Sequence, residues 1–247
     1  MKYVDALINS ITMYRLTLYG LLAMALWALL LGVFGFLSYT AVSLASSLFI
    51  VLFVSYGANE LMAKFLRLPV NTESEYITAL ILFFILPPVV TLEDAGIVAL
   101  SVLGAMATKY FFVFRRKHLF NPAAAGAFIM SLVFGLGATW WVGSLAMLPI
   151  TFFVGFLIVR KIHRFPMVLT FFAAAALTIG ALGVQNGATE LTADGVGQLL
   201  LEILTAWPVI FFGMIMLTEP FTANATRPLQ MTYAGIVGVL LGSSFNI

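Results

Sequence analysis

An all-α polytopic membrane protein with about nine transmembrane helices is what this chain encodes, and three observations lead there. Of the 247 residues 62% are hydrophobic and 9% charged, with a mean hydropathy of +1.09, whereas a soluble domain carries about a quarter charged residues. The apolar residues form runs that are apolar all round instead of along one stripe. Finally, a single topological frame collects every lysine and arginine on one side of the bilayer.

In chain order, the runs cover residues 16–37, 41–63, 76–92, 95–114, 122–137, 142–159, 166–184, 197–217 and 229–246. The third and fifth are short for a hydrocarbon layer of about 30 Å. They are expected to be tilted, re-entrant or broken, with Pro87-Pro88 and Asn121-Pro122 marking their ends. The amphipathic start, residues 1–15, precedes a run too long for a signal-peptide core and lacks a small-residue cleavage site, so it reads as a cytoplasmic lead into a retained first helix. The whole of 1–247 reads as one transmembrane domain.

With the N-terminus inside, the cytoplasmic segments hold Lys2, Arg15, Lys64, Arg67, Arg115, Arg116, Lys117, Arg160, Lys161, Arg164 and Arg227, and Lys109 lies near the inner end of the fourth run. The outer loops carry Glu93, Asp94, Glu190 and Asp194 and no basic residue. Adding or dropping an early helix would scatter the basic clusters over both faces. Nine runs end outside at Ser243-Ser-Phe-Asn-Ile247, so a longer parent with a tenth helix, forming two inverted five-helix halves, is expected. A genuine nine-helix protein is the alternative.

The net charge of +2 is too small to point to nucleic acid. There is no cysteine, which removes disulfides, thiol catalysis and iron–sulfur ligation by this chain. His118 and His163, the only two histidines, sit in basic clusters, not inside apolar helices where a bis-histidine haem would need them. Redox chemistry here requires an organic cofactor. The glycine spacings Gly32-x-x-Gly35, Gly135-x-Gly137 and Gly235-x-x-Gly238-x-x-x-Gly242 read as close helix packing.

Function is sought in three polar islands on the basic side: Asn71-Thr-Glu-Ser-Glu-Tyr76, Arg115-Arg-Lys-His-Leu-Phe-Asn-Pro122 and Thr218-Glu-Pro-Phe-Thr222. Asn121 with Pro122 reads as a helix cap followed by a first-turn proline. The same positive helix start beside Arg115 and Arg116 also suits an anionic group such as a flavin phosphate. Glu73 and Glu75 favourably begin the third helix. The third island puts the Glu219 carboxylate beside the Thr218 and Thr222 hydroxyls, where Pro220 frees backbone carbonyls, a combination suited to a cation or a cofactor ring.

Lys109-Tyr-Phe-Phe-Val-Phe-Arg-Arg-Lys-His-Leu-Phe-Asn-Pro-Ala-Ala-Ala-Gly126 together with Met216-Leu-Thr-Glu-Pro-Phe-Thr222 resembles the membrane subunits NqrB, of the sodium-translocating NADH:quinone oxidoreductase, and RnfD, of the Rnf complex. The opening Ile11-Thr-Met-Tyr-Arg15 is most similar to the bacterial variant fused to a ferredoxin-reductase-like module. The resemblance implies a urea-transporter-like fold in a bacterial cytoplasmic membrane. It also implies a flavin, FMN or riboflavin, that passes electrons from a cytoplasmic NAD(P)H- or ferredoxin-linked reductase to quinone or a partner subunit, with sodium or proton movement coupled.

By the same resemblance Asn121, Arg115, Arg116, Thr218, Glu219 and Thr222 would line the flavin site, and Glu75 and Glu219 would belong to the ion pathway. Family members esterify FMN to a threonine in an outer-loop motif. Here the matching run is Asn186-Gly-Ala-Thr189, whose first residue and missing upstream acid weigh against a covalent bond at Thr189. A redox-inert channel for a small polar solute is the alternative class. Neither a metal site nor NAD(P)H binding by this chain is expected.

Overall fold

Helices dominate the computed structural model, which describes residues 8–68, 72–114, 117–185, 192–205, 208–219 and 226–244. The chain divides into two compact units, Met1–Val142 and Gly143–Ile247.

In the first unit, α1 (Met13–Val33) is started by Thr12, whose hydroxyl accepts from the Arg15 amide, and α2 (Ala41–Leu66) by Thr40, which accepts from Ser43. α3 (Thr72–Ile85) opens with Glu73 and Glu75 in its first turn, where carboxylates meet the positive end of the helix dipole. α4 (Leu92–Phe111) starts with a complete capping box of Thr91 and Asp94. A two-residue antiparallel pair, β1 (Val113–Phe114) and β2 (Lys117–His118), then turns the chain into α5 (Pro122–Phe134). Asn121 caps α5 through Oδ1, at 3.0 Å from the Ala123 amide and 3.2 Å from that of Ala124, and Pro122 sits in the first turn as expected.

α3 explains itself physically. Its 14 residues rise only about 21 Å, and Pro87-Pro88 cannot continue it. In an apolar setting the carbonyls this frees need partners from the protein itself. The stretch after α5 supplies them: the amides of Thr139 and Trp140 donate to Ile85 O, that of Val142 to Phe84 O, and the Trp141 indole N–H to Phe83 O at 2.8 Å. Trp141 also packs its ring on those of Phe83 and Phe84. Beyond the prolines, the Val89 amide donates to Ser47 Oγ at 2.6 Å and Ser43 Oγ donates to Val89 O at 2.7 Å. A broken helix is thereby closed by donors and acceptors of the protein itself.

The second unit contains α6 (Leu148–Ile162), α7 (Phe165–Gln185), α8 (Ala193–Thr205), the short α9 (Val209–Phe211) running into a π-helical turn at Phe212–Met216, and α10 (Arg227–Ser244). α7 and α10 pack most closely. A Cβ on Gly238 would lie 2.7 Å from Phe171 O, and one on Gly242 2.9 Å from Thr178 Cβ, so small residues bring these backbones together as the spacing predicts. Their core joins Met167, Phe171, Ala175 and Ile179 of α7 to Ala234 of α10 and to Leu199 and Ile203 of α8.

Several expectations are corrected. Gly135 is not a packing residue: at φ +68° it ends α5 in the left-handed region with open space around it, and Gly137 likewise meets nothing. The sixth helix begins at Leu148 instead of near residue 142, because the backbone at 139–142 is used to cap α3. The eighth run is two pieces separated around Pro208, and its first piece, α8, is amphipathic, with Asp194, Gln198 and Glu202 exposed along one face.

Among the described residues, three helices are long and apolar enough to cross a membrane: α1, α2 and α7. They carry large apolar side chains outward, among them Leu26, Leu30, Phe49, Phe53, Leu169 and Leu177. Such continuous apolar exposure has lipid as its natural solvent.

Candidate functional site

Each unit holds a polar node. In the first it is built where α2 is ending, α3 beginning and α4 ending. Glu75 is completely buried and Asn59, one turn before the basic end of α2, is 1% exposed. The Asn59 amide nitrogen donates to Glu75 Oε2, and the Tyr110 hydroxyl donates to Asn59 Oδ1 at 2.6 Å. The charges of Lys109, itself buried, and of Glu60 both act on Glu75. Glu75 Oε1 and Ser55 Oγ, one helical turn before Asn59, are buried with no hydrogen-bond partner among the described residues. On the surface the Arg15 guanidinium pairs with Glu73 at 2.9 Å, and Lys64 lies 3.8 Å from Glu60.

The neighbouring hairpin carries His118. Burial, and secondarily the positive charge of Lys109, hold its imidazole below its ordinary value, so it is neutral at pH 7.

The second node is made of backbone. In the π-helical turn Phe212–Met216 the usual i to i−4 pairing is lost, a distortion frequent at functional sites. The Thr218 hydroxyl, fully buried, donates to Met214 O at 2.9 Å and Ile215 O at 3.2 Å. Arg164, from the corner between α6 and α7, donates from Nη1 to Thr218 O at 2.9 Å. A guanidinium here completes the negative end of a helix. Burial lowers the Arg164 pKa, but an arginine stays protonated at any working pH.

Among the expected residues, Glu75 is the centre of the first node, and Asn121 lies in the same unit as the cap of α5. Thr218 and the half-buried Glu219 belong to the second unit. Arg115, Arg116, Thr189 and Thr222 lie outside the described residues. Asn59, Tyr110, Arg164 and the π-helical turn were not singled out from sequence. Asn59-Glu60 had left a signal, a polar pair inside an otherwise apolar run. The π-helical turn leaves none, since Phe-Gly-Met-Ile-Met is ordinary helix composition.

The fold and these nodes define a helical membrane protein with lipid-facing surfaces and buried polar chemistry. No protein-family model, no curated protein and no solved structure matches the chain.

Proposed function

We propose that this chain is the membrane subunit of an ion-translocating, flavin-dependent redox system of the NqrB/RnfD type. The observation that carries the ion-handling half is the buried Glu75 carboxyl, held by Asn59 within range of the Lys109 charge and with one oxygen unpartnered among the described residues. An ionisable group so placed in a membrane protein is costly to keep and belongs by default to an ion or proton path. The redox half rests on the resemblance of Lys109–Gly126 and Met216–Thr222 to that family.

In this reading about nine helices cross a bacterial cytoplasmic membrane from a cytoplasmic N-terminus, as two inverted halves in a urea-transporter-like arrangement. Electrons come from a cytoplasmic NAD(P)H- or ferredoxin-linked reductase and leave to quinone or a partner subunit. The flavin, FMN or riboflavin, supplies the electron-carrying chemistry, and the protein supplies binding and electrostatics. Thr218, whose hydroxyl is turned inward, shapes the backbone behind Glu219, which with Thr222 would meet the ring. Glu75 and Glu219 serve the ion.

The deciding experiment is an absorption spectrum of the purified chain, before and after acid precipitation. A flavin band near 450 nm (the flavin's own absorption, about that value) supports the redox reading. Fluorescence that stays with the denatured protein and vanishes in Thr189→Val would make the bond covalent. Glu75→Gln is expected to abolish ion coupling while leaving flavin content intact. Colourless, folded protein overturns the redox half and favours the second reading, a small-solute channel. That reading draws support from the sealed break after α3, since broken helices line solute paths in transporters.

A further inference from the structure

Asn59 has an amide with two chemically opposite ends, and which end faces Glu75 decides what state of the carboxyl it favours. The nitrogen end donates and matches an ionised, acceptor-only carboxylate; the oxygen end accepts and matches only a protonated carboxyl. Residues of similar shape would fit either way round.

In the structure the nitrogen end faces Glu75 Oε2, and one contact holds the other end. Tyr110, from α4, has a single hydroxyl proton to give, and its oxygen lies 2.6 Å from Asn59 Oδ1, with the Asn59 main-chain oxygen further away at 3.3 Å. With Oδ1 occupied as an acceptor, the nitrogen is the end left for Glu75 Oε2, where it is found. The chain of donors therefore runs in one direction, from phenol to amide to carboxylate, and each bond polarises the next. We propose that Tyr110 is a positioning residue which, through Asn59, holds the Glu75 carboxyl as a hydrogen-bond acceptor and so sets its readiness to release or take up a proton or cation at Oε1.

This rests on the ion-handling role of Glu75 proposed above, but it concerns Tyr110, which never touches the carboxyl. The groups around Glu75 leave that task to Asn59. On α2 Glu60 lies near Lys64, on α3 Glu73 is paired with Arg15 of α1, and on α4 Lys109 acts by its charge. α5 packs against α3 and begins with Pro122, Ala123, Ala124 and Ala125, which bring no titratable group.

The test is infrared spectroscopy of the full chain in liposomes as pH is varied, following the protonated-carboxyl stretch that disappears in Glu75→Gln. Tyr110→Phe keeps the ring and removes only the hydroxyl. It is expected to raise the protonated fraction several-fold at a fixed pH within the titration, because a hydrogen bond favouring the charged form is weakened. If wild type shows no such band, Tyr110→Phe is expected to bring one in at the acid end.

The decisive arm is the cycle with Asn59→Leu, or Asn59→Ala if the leucine variant does not yield folded protein. In that background Tyr110→Phe is expected to add nothing. An unchanged Glu75 band in Tyr110→Phe overturns the proposal, and so does an equal effect of Tyr110→Phe with and without Asn59. The readout involves neither flavin nor turnover. Failure of the redox reading, seen as a colourless protein, is therefore distinct from failure here.

Discussion

The two units meet the same difficulty, a helix that stops among apolar side chains, and resolve it with different chemistry. In the first, α3 ends at Pro87-Pro88 and its last carbonyls are taken by amides and an indole from the backbone at 139–142, with Ser43 and Ser47 closing the far side. In the second, the helix preceding Glu219 is loosened into a π-helical turn whose Met214 and Ile215 carbonyls are taken by the Thr218 hydroxyl, while Arg164 takes the carbonyl of Thr218 just past the turn. Neutral donors hold the first break and a cation completes the second. The difference teaches where each unit can afford charge: the first keeps its buried ionisable groups, Glu75 and Lys109, away from the break.

The largest contrast should come from glycine. Gly238→Leu drives a side chain into the α7 backbone, where even a Cβ meets Phe171 O at 2.7 Å, and overpacking of this kind costs about 3 kcal/mol. Loss of the monodisperse peak in detergent gel filtration is expected. Gly137→Leu in the first unit, with nothing near its Cβ, should leave that peak in place, and an equal loss in both would show that the α7–α10 contact is not special.

Ser47→Ala comes next. It leaves the buried Val89 amide without its acceptor, at about 2 kcal/mol. Arg164→Met removes one charged donor to a carbonyl, but its half-exposed position reduces the effect to about 1 kcal/mol. Thermal unfolding in one detergent measures both. If Arg164→Met is the more damaging, the second unit depends on its cation more than the geometry indicates.

The smallest effect is one of pH. His118 is held below its ordinary value near 6.5, so the unfolded hairpin takes up a proton at higher pH than the folded one. Between the two values the unfolded state binds more protons, and stability rises with pH. The contribution is therefore complete above the ordinary value and lost as pH falls through it toward the lower folded value. Hydrogen exchange at the Leu119 amide, bonded to Phe112 O at 3.0 Å, should show weaker protection at pH 5 than at pH 7.5, and the difference should vanish in His118→Phe.

Much of this was legible in the sequence. Helical character and apolar exposure follow from runs without charge, since a backbone in lipid must satisfy itself within the segment. Asn121 as a cap, Pro122 behind it and Gly238 with Gly242 as packing residues are local patterns whose meaning needs no partner. Glu75 could be noticed as an acid beside an apolar run, and the prolines at 87 and 88 announced a break.

What only the tertiary structure decided is where the partners of those groups come from. Nothing near Glu75 in sequence names Asn59, 16 residues before it, or Tyr110, 51 residues beyond Asn59. Nor does Pro87-Pro88 say that Trp141 will close the helix it ends. Local pattern fixes which polar groups a segment exposes, because propensity and capping act over a few residues. Which distant donor or acceptor satisfies a buried group depends on how the helices pack, and that is settled only when all of them are assembled.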